Sequence, residues 1–389
     1  MEENAPPPIN NPPPAVPTPP PQLPPPPMIT PPPPGPPRRG GRGWMVLALI
    51  FFVLLAISML YNVGNFAGNL LRGRSVKYTR TIGPRLEEVI YEDNDAANKI
   101  AIIPVDGVIS GSVIDQSGFN LVDLIKAQLH RAEDDDRVKA VLLKVDSPGG
   151  EVLASDDIYR AIKDFQARTH KPVVASMGSL AASGGYYISS PCRWIVANEL
   201  TITGSIGVIM SSWNYRGLMD KVGVLPQTYK SGKFKDMLSG SREPDSITPE
   251  EKAMLQALID ETFAKFKSVV QEGRGQANDK NKDTKDKGHP LSDDWQDYAD
   301  GRVLSGTEAL KLGFVDQLGC FDDAVDQTKK MVGISHANLV QYQQRYDISD
   351  LFRLFGKSDA NSKIKVDLGM DMPKLQAGKL YFLSPTFLH

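Results

Sequence analysis

Between Met177 and Val208 the run MGSLAASGGYYISSPCRWIVANELTITGSIGV sets one hydroxyl, that of Ser183, among Gly178, Ala181, Ala182, Gly184 and Gly185. Small neighbours let a carbonyl group come close to the serine oxygen. A helix beginning at such a turn points free backbone N–H groups at negative charge developing there. That is what acyl transfer demands. A glycine-rich strand-to-helix corner with a solvated serine fits the same run, so the rest of the chain has to discriminate.

A nucleophilic serine needs a base. The five histidines are His130, late in a helix, His170, at a helix-to-strand joint, His289, in a charged loop, His336 and the terminal His389. None is embedded in a motif, and each reads as a surface residue. A lysine can replace histidine where burial leaves its amine neutral. Lys230, Lys233 and Lys235 surround Gly232 in KSGKFKD, although three lysines around a glycine also describe a solvated face. Spacing does not single out one of them.

Positioning these groups requires strands that end beside each other. Ile100 to Ile109 reads as a strand bent at Gly107, Val138 to Val145 as a continuous β-branched and leucine strand covered on both faces, and Pro172 to Ser176 and Trp194 to Ala197 as further strands. Leu121 to Ala132 and Val152 to Arg168 have helical spacing between them. Strand and helix alternate, which predicts an α/β fold with a largely parallel sheet and functional loops after the strand C-termini. Ser147 to Gly150 and Ser179 to Gly185 both occupy that position and can face each other. Further on, a helix is expected from Asn214 to Val222, a short strand from Leu225 to Tyr229, and a long helix from Pro249 to Gln271 opened by a Thr248/Glu251 capping box. Gly273 to Gly288 reads as a mobile charged loop. Arg302 to Leu318 reads as strand, capped helix, Gly313 stop and return strand, followed by a helix from Phe321 to Met331.

Composition divides the chain. Twenty of its 31 prolines precede Arg38, so residues 1–43 form an extended, coreless tail that spaces domains or serves a proline-binding partner. Residues 44–63, WMVLALIFFVLLAISMLYNV, carry no charge over twenty positions and are expected to cross a membrane once. Arg38, Arg39 and Arg42 place the N-terminus in the cytoplasm and the globular part outside it. Residues 64–98 read as a juxtamembrane linker, 99–332 as the main domain and 333–389 as a C-terminal extension ending in the apolar Leu380 to Phe387. A net charge of −2 argues against a general nucleic-acid binder. Cys192 and Cys320, the two cysteines, can pair in an oxidising compartment or serve as small buried apolar residues; with no suitably spaced histidines they cannot make a zinc site.

DSPGG at Asp146 to Gly150, SLAASGGYYIS at Ser179 to Ser189, TGSIGV at Thr203 to Val208 and KSGKFKDMLSG at Lys230 to Gly240 occur in the order of the bacterial signal peptide peptidase family SppA. The chain resembles the short, single-copy form of that family over Lys99 to Val332. The SPGG and serine-turn pair also resembles the ClpP/crotonase superfamily, which implies a spiral of βαβ units. By position, the resemblance makes Ser183 the nucleophile, Lys235 the base, and the backbone N–H groups of Gly150 and Gly184 the oxyanion hole. It implies a homo-oligomer whose active sites are shared between subunits. The proline-rich tail departs from the family's plan, and Leu380 to His389, beyond the matched region, can be a final strand, a subunit contact or a tail lying in the peptide groove.

The expected function is that of a single-pass Ser-Lys endopeptidase of the inner membrane, facing away from the cytoplasm. It would degrade cleaved signal peptides and other short hydrophobic peptides without metal or organic cofactor. Alternatives are a quality-control protease for membrane proteins, an inactive oligomeric scaffold, or an acyl-CoA enzyme of crotonase type, for which Lys235 has no task.

Overall fold

The computed structural model describes residues 47–59, 83–112, 119–344 and 379–383, and the chain divides into two units, residues 1–80 and 81–389. In the first unit, residues 47–59 form a helix, α1, with exposed side chains. The rest of the expected span, 44–46 and 60–63, lies outside the described residues. Among the described residues no helix is long and apolar enough to cross a membrane.

The second unit opens with strands β1 (Leu86–Glu92) and β2 (Lys99–Asp106), helix α2 (Leu121–Asp134), strands β3 (Val138–Ser147) and β4 (Gly149–Glu151), and helix α3 (Val152–Thr169). Strand β5 (Val173–Ala182), helix α4 (Gly184–Ser189) and strands β6 (Trp194–Ala197) and β7 (Ile202–Gly204) follow. Beyond them lie α5 (Arg216–Lys221), α6 (Pro249–Asn281), α7 (Trp295–Tyr298), β8 (Val303–Ser305), α8 (Gly306–Lys311), β9 (Gln317–Leu318), α9 (Phe321–Val332), β10 (Asn338–Gln344) and β11 (Tyr381–Leu383). The main sheet runs β1-β10-β2-β3-β5-β6-β9, with β7 alongside β5 and β8 alongside β7. Its pairings are parallel except at β1/β10 and β7/β8. The chain therefore has the α/β, mostly parallel architecture read from its alternating pattern. The sheet extends on both sides of 99–332, because β1 and β10 pair with each other at its edge.

The continuous apolar runs have a physical reason in the layers. Successive side chains of a strand point to opposite faces, and both faces are covered. Ala101, Ile103, Val141 and Leu143 pack with Ile125, Leu129, Ile158 and Ile162 of α2 and α3. Ile100, Ile102, Leu142 and Val174 pack on the other face with Ala324 and Val325 of α9.

Three expectations are corrected. Leu225 to Tyr229 is not a strand: Leu225 and Tyr229 are exposed and no neighbouring strand offers a ladder. The loop expected from Gly273 is the continuation of α6, which runs 33 residues to Asn281. Gly273 allows close approach there, since a Cβ would lie 2.5 Å from the Ser190 carbonyl oxygen, and the next residue, Arg274, forms a fully buried ion pair with Asp316. The cysteines are both free; Cys192 is buried, but Cys320 is exposed because it caps the surface end of α9.

Candidate active site

Ser183 lies between the end of β5 and the start of α4 with φ 54° and ψ −115°. A positive φ is uncommon for a residue bearing a Cβ and costs on the order of 1–3 kcal/mol. Its neighbours hold it there. The Ser183 N–H donates to the Gly204 carbonyl at 2.8 Å, and its own carbonyl accepts from the Tyr187 N–H at 2.8 Å. A strained strand-to-helix turn of this kind lifts a nucleophilic oxygen clear of the backbone. Ser183 is fully buried, and its Oγ has no hydrogen-bond partner among the described residues.

The second glycine corner meets the first. After β3, the Ser147 Oγ accepts from the Gly149 N–H at 3.1 Å, and Gly149 adopts φ 100°. Glycine is required: a Cβ at Gly149 would lie 2.0 Å from the Phe382 carbonyl oxygen and 2.6 Å from the Gly184 nitrogen. A Cβ at Gly184 would in turn come 3.1 Å from the Gly150 nitrogen. On one edge of β4 the Gly149 carbonyl accepts from Ile109 and the Glu151 N–H donates to Ile109, both at 2.8 Å. Strand alternation turns the Gly150 N–H to the opposite edge. Ser183, Gly150 and Gly184 are therefore brought to one corner, with a peptide carbonyl against it.

That carbonyl belongs to β11, which pairs antiparallel with β4 so that Phe382 is opposite Gly150 and Leu383 opposite Gly149. On its other side, Tyr381 exchanges backbone hydrogen bonds with Ile209 at 3.0 and 3.1 Å. The buried Phe382 ring stacks on Tyr187 at 4.8 Å between centroids and lies 4.6 Å from Phe266. Tyr159 packs edge-on to Tyr187 at 5.5 Å. The C-terminal segment is thus a final strand set between β4 and Ile209, in an aromatic-lined groove.

Lys235 is exposed, in the segment between α5 and α6, and is not bonded to the Ser183 Oγ of the same chain. Its neighbours are committed elsewhere: the Lys230 amine lies 2.6 Å from Asp236, and Lys233 pairs with Glu250. No such acceptor holds the Lys235 amine among the described residues. In the stretch that precedes it, Trp213, Leu218, Leu225 and Tyr229 are between 64% and 92% exposed. Arg242 anchors the segment through Glu251, whose carboxyl its hydrogen bond and that of the Thr248 N–H hold down at about 2. The histidines 130, 170, 289 and 336 are exposed. Among the described residues no cluster of three His, Cys, Asp or Glu side chains is placed to hold a metal.

The stretch Leu380 to His389 is a final strand lying in the groove where the structure describes it, one of the expected alternatives, but sequence reasoning did not find its partners β4, Ile209 and Tyr187. The aromatic-apolar triplet Tyr381-Phe382-Leu383 was the available signal, but its pairing partner lies more than two hundred positions away.

Comparison with known proteins adds a separate line of observation. The sequence profile of Peptidase family S49 matches residues 166–335, and that of Clp protease matches residues 108–193. A protease of Synechocystis sp. is 40% identical over 61% of this chain and 75% of its own length. A protein assigned as signal peptide peptidase SppA in Enterococcus faecium is 35% identical over 66% of this chain and 71% of its own. Protease 4 of Haemophilus influenzae is 33% identical over 64% of this chain and 37% of its own. A solved structure, the 1510-N membrane-bound stomatin-specific protease, aligns over 67% of this chain and 98% of its own at a TM-score of 0.37 and 15% identity, a likeness too distant to add weight.

Proposed function

Because this chain belongs to peptidase family S49 and is a serine endopeptidase, we propose that Ser183 is its nucleophile, that Lys235 of a second copy is its base, and that extended apolar peptides, signal peptides among them, are its substrates. The observation that carries this reading is the Phe382 carbonyl lodged against Gly149 beside the Gly184 nitrogen, where a scissile carbonyl has to sit. A peptide entering the groove would take the place of β11, adding a strand to β4 and pairing with Ile209 on its far side. Backbone pairing of this kind accepts many sequences. The aromatic walls favour apolar side chains.

In the reaction, the Lys235 amine takes the proton from Ser183 Oγ as that oxygen bonds to the peptide carbonyl carbon. The resulting oxyanion is held by the Gly150 and Gly184 N–H groups, and loss of one such donor typically costs about 3–4 kcal/mol. The ammonium then protonates the departing amine, and water releases the acyl group by the same path. A shared site is favoured by the orphan Ser183 Oγ, the uncommitted Lys235 amine and the apolar surface around it. The uncharged stretch 44–63 would tether this assembly to a membrane, with the N-terminus cytoplasmic and the catalytic unit outside, within reach of peptides that partition into the bilayer.

Labelling with a serine-reactive phosphonate tests the assignment. Wild type should label at Ser183 and Ser183→Ala should not; equal labelling of the two would move the nucleophile elsewhere. Comparing hydrolysis of free signal peptides with that of intact membrane proteins distinguishes the expected substrates from a quality-control role.

A further inference from the structure

At the opposite ends of the strands that deliver Ser147 and Ser183, a cavity of about 680 Å³ opens beside Val138, Pro172 and Arg193. Its lining holds six cations, Lys139, Lys171, Arg193, Lys280, Lys285 and Lys330, against two carboxylates, Asp136 and Asp286. The surplus is local, since the whole chain carries a net charge of −2.

Direct pairing does not neutralise these cations among the described residues. Among the described residues none of the six makes an ion pair, whereas the adjacent Lys282 and Lys329, outside the lining, pair with Asp279 and Asp326 at 3.6 and 3.1 Å. The Lys171 amine donates only to backbone carbonyls, of Ala132, Glu133 and Asp135, at 2.8 to 3.2 Å. Lys139 likewise donates to the Asp136 carbonyl at 3.0 Å, and Arg193 to the Asn281 Oδ1 and the Lys280 carbonyl at 2.5 and 2.6 Å. Burial lowers the pKa of both Lys171 and Arg193; Asp136, Asp135 and Glu133 offset only part of this at Lys171, and burial is the sole cause at Arg193. Like charges gathered in a concave, partly desolvated space repel one another and focus a positive potential.

We propose that this cavity is an anion site for a phosphate-bearing ligand with two or more negative charges, such as a diphosphate group. A single carboxylate would leave most of the surplus uncompensated. A multiply charged phosphate matches it, and its several oxygens can accept from the amines of Lys280, Lys285 and Lys330, which have no partners among the described residues, and from remaining donors of Arg193. The shared chemistry of a soluble phosphorylated compound and a phospholipid headgroup satisfies the site equally. The proposal is independent of the groove chemistry, because the two sites lie at opposite ends of the same strands.

Calorimetric titration of the full-length protein with inorganic diphosphate, at ionic strength fixed by sodium chloride, tests it. The expected result is saturable one-to-one binding, weakened about tenfold or more in the combined Lys280→Gln, Lys285→Gln, Lys330→Gln variant. A control variant with the same change of net charge, Lys126→Gln, Lys265→Gln, Lys311→Gln, should bind like wild type, and all three proteins should hydrolyse peptide equally. Absence of saturable binding in wild type, or equal weakening in both variants, overturns the proposal. Sedimentation with phosphatidic acid vesicles separates the two sources: loss of vesicle binding in the site variant alone assigns a headgroup, and diphosphate binding without vesicle binding assigns a soluble ligand.

Discussion

At Ser183 a buried hydroxyl has no hydrogen-bond partner among the described residues and sits in a backbone conformation that costs energy. Ser183→Ala should lower peptide hydrolysis at least a thousandfold while leaving the melting temperature at or slightly above that of wild type. Lys235→Ala should cost a similar factor, whereas Lys230→Ala and Lys233→Ala, which break ties to Asp236 and Glu250, should retain most activity; steady-state kinetics on the three variants decides among them. That the two glycine corners meet was legible in the sequence because close backbone approach leaves so few residue types admissible: a Cβ at Gly149 or Gly150 would come within 2.0 Å of a carbonyl oxygen. Spacing alone left Lys230, Lys233 and Lys235 open and the family resemblance chose Lys235; which of the three amines stays free depends on carboxylates that only the folded segment brings within reach.

Among the elements, α6 connects the buried core with the segment that carries Lys235. Its C-terminal half is fixed by Phe266, Val269, Val270 and the buried Arg274–Asp316 pair, while its first turns hold the Lys235 segment through Arg242 and Glu251. Breaking the buried pair with Arg274→Met should destabilise the protein by about 3–5 kcal/mol, read by denaturant unfolding, because Asp316 would be left as an uncompensated buried charge. The Glu251 carboxyl is held at about 2 in the folded chain, below its ordinary 4.5, so its contribution is complete above pH 4.5 and is lost as pH falls toward 2. Hydrogen-exchange protection across residues 213–247, corrected for the intrinsic rate at each pH, should therefore fall between pH 4.5 and 3 before that of the β2–β3–β5 core does. The capping box at Thr248 announced where α6 begins. Its true end was hidden because glycine and a run of charges resemble a loop until Gly273 meets the Ser190 carbonyl.

For the molecule as a whole, the proposed pairing of a buried Ser183 with an exposed Lys235 requires two copies of the chain. Mixing inactive Ser183→Ala and Lys235→Ala chains under conditions that exchange subunits should restore activity, to about a quarter of the wild-type sites at equal proportions if assembly is random. No recovery from an exchanged mixture would place both groups in one chain. The mostly parallel sheet could be read from the alternation of strand and helix, but not the order of its strands or the place of β11 beside β4, because three residues carry no period and the partner strand is distant in sequence.

The position of β11 has a kinetic consequence. With Ser183 offering no surface and Phe382 lodged in the adjoining corner, a reagent aimed at the hydroxyl has to wait for the strand to leave. The rate of covalent modification then becomes a clock for that departure, saturating as reagent concentration rises. A chain ending before Lys379 should lose the plateau and turn over added peptides several-fold faster, the enzyme having until then carried its own competitor.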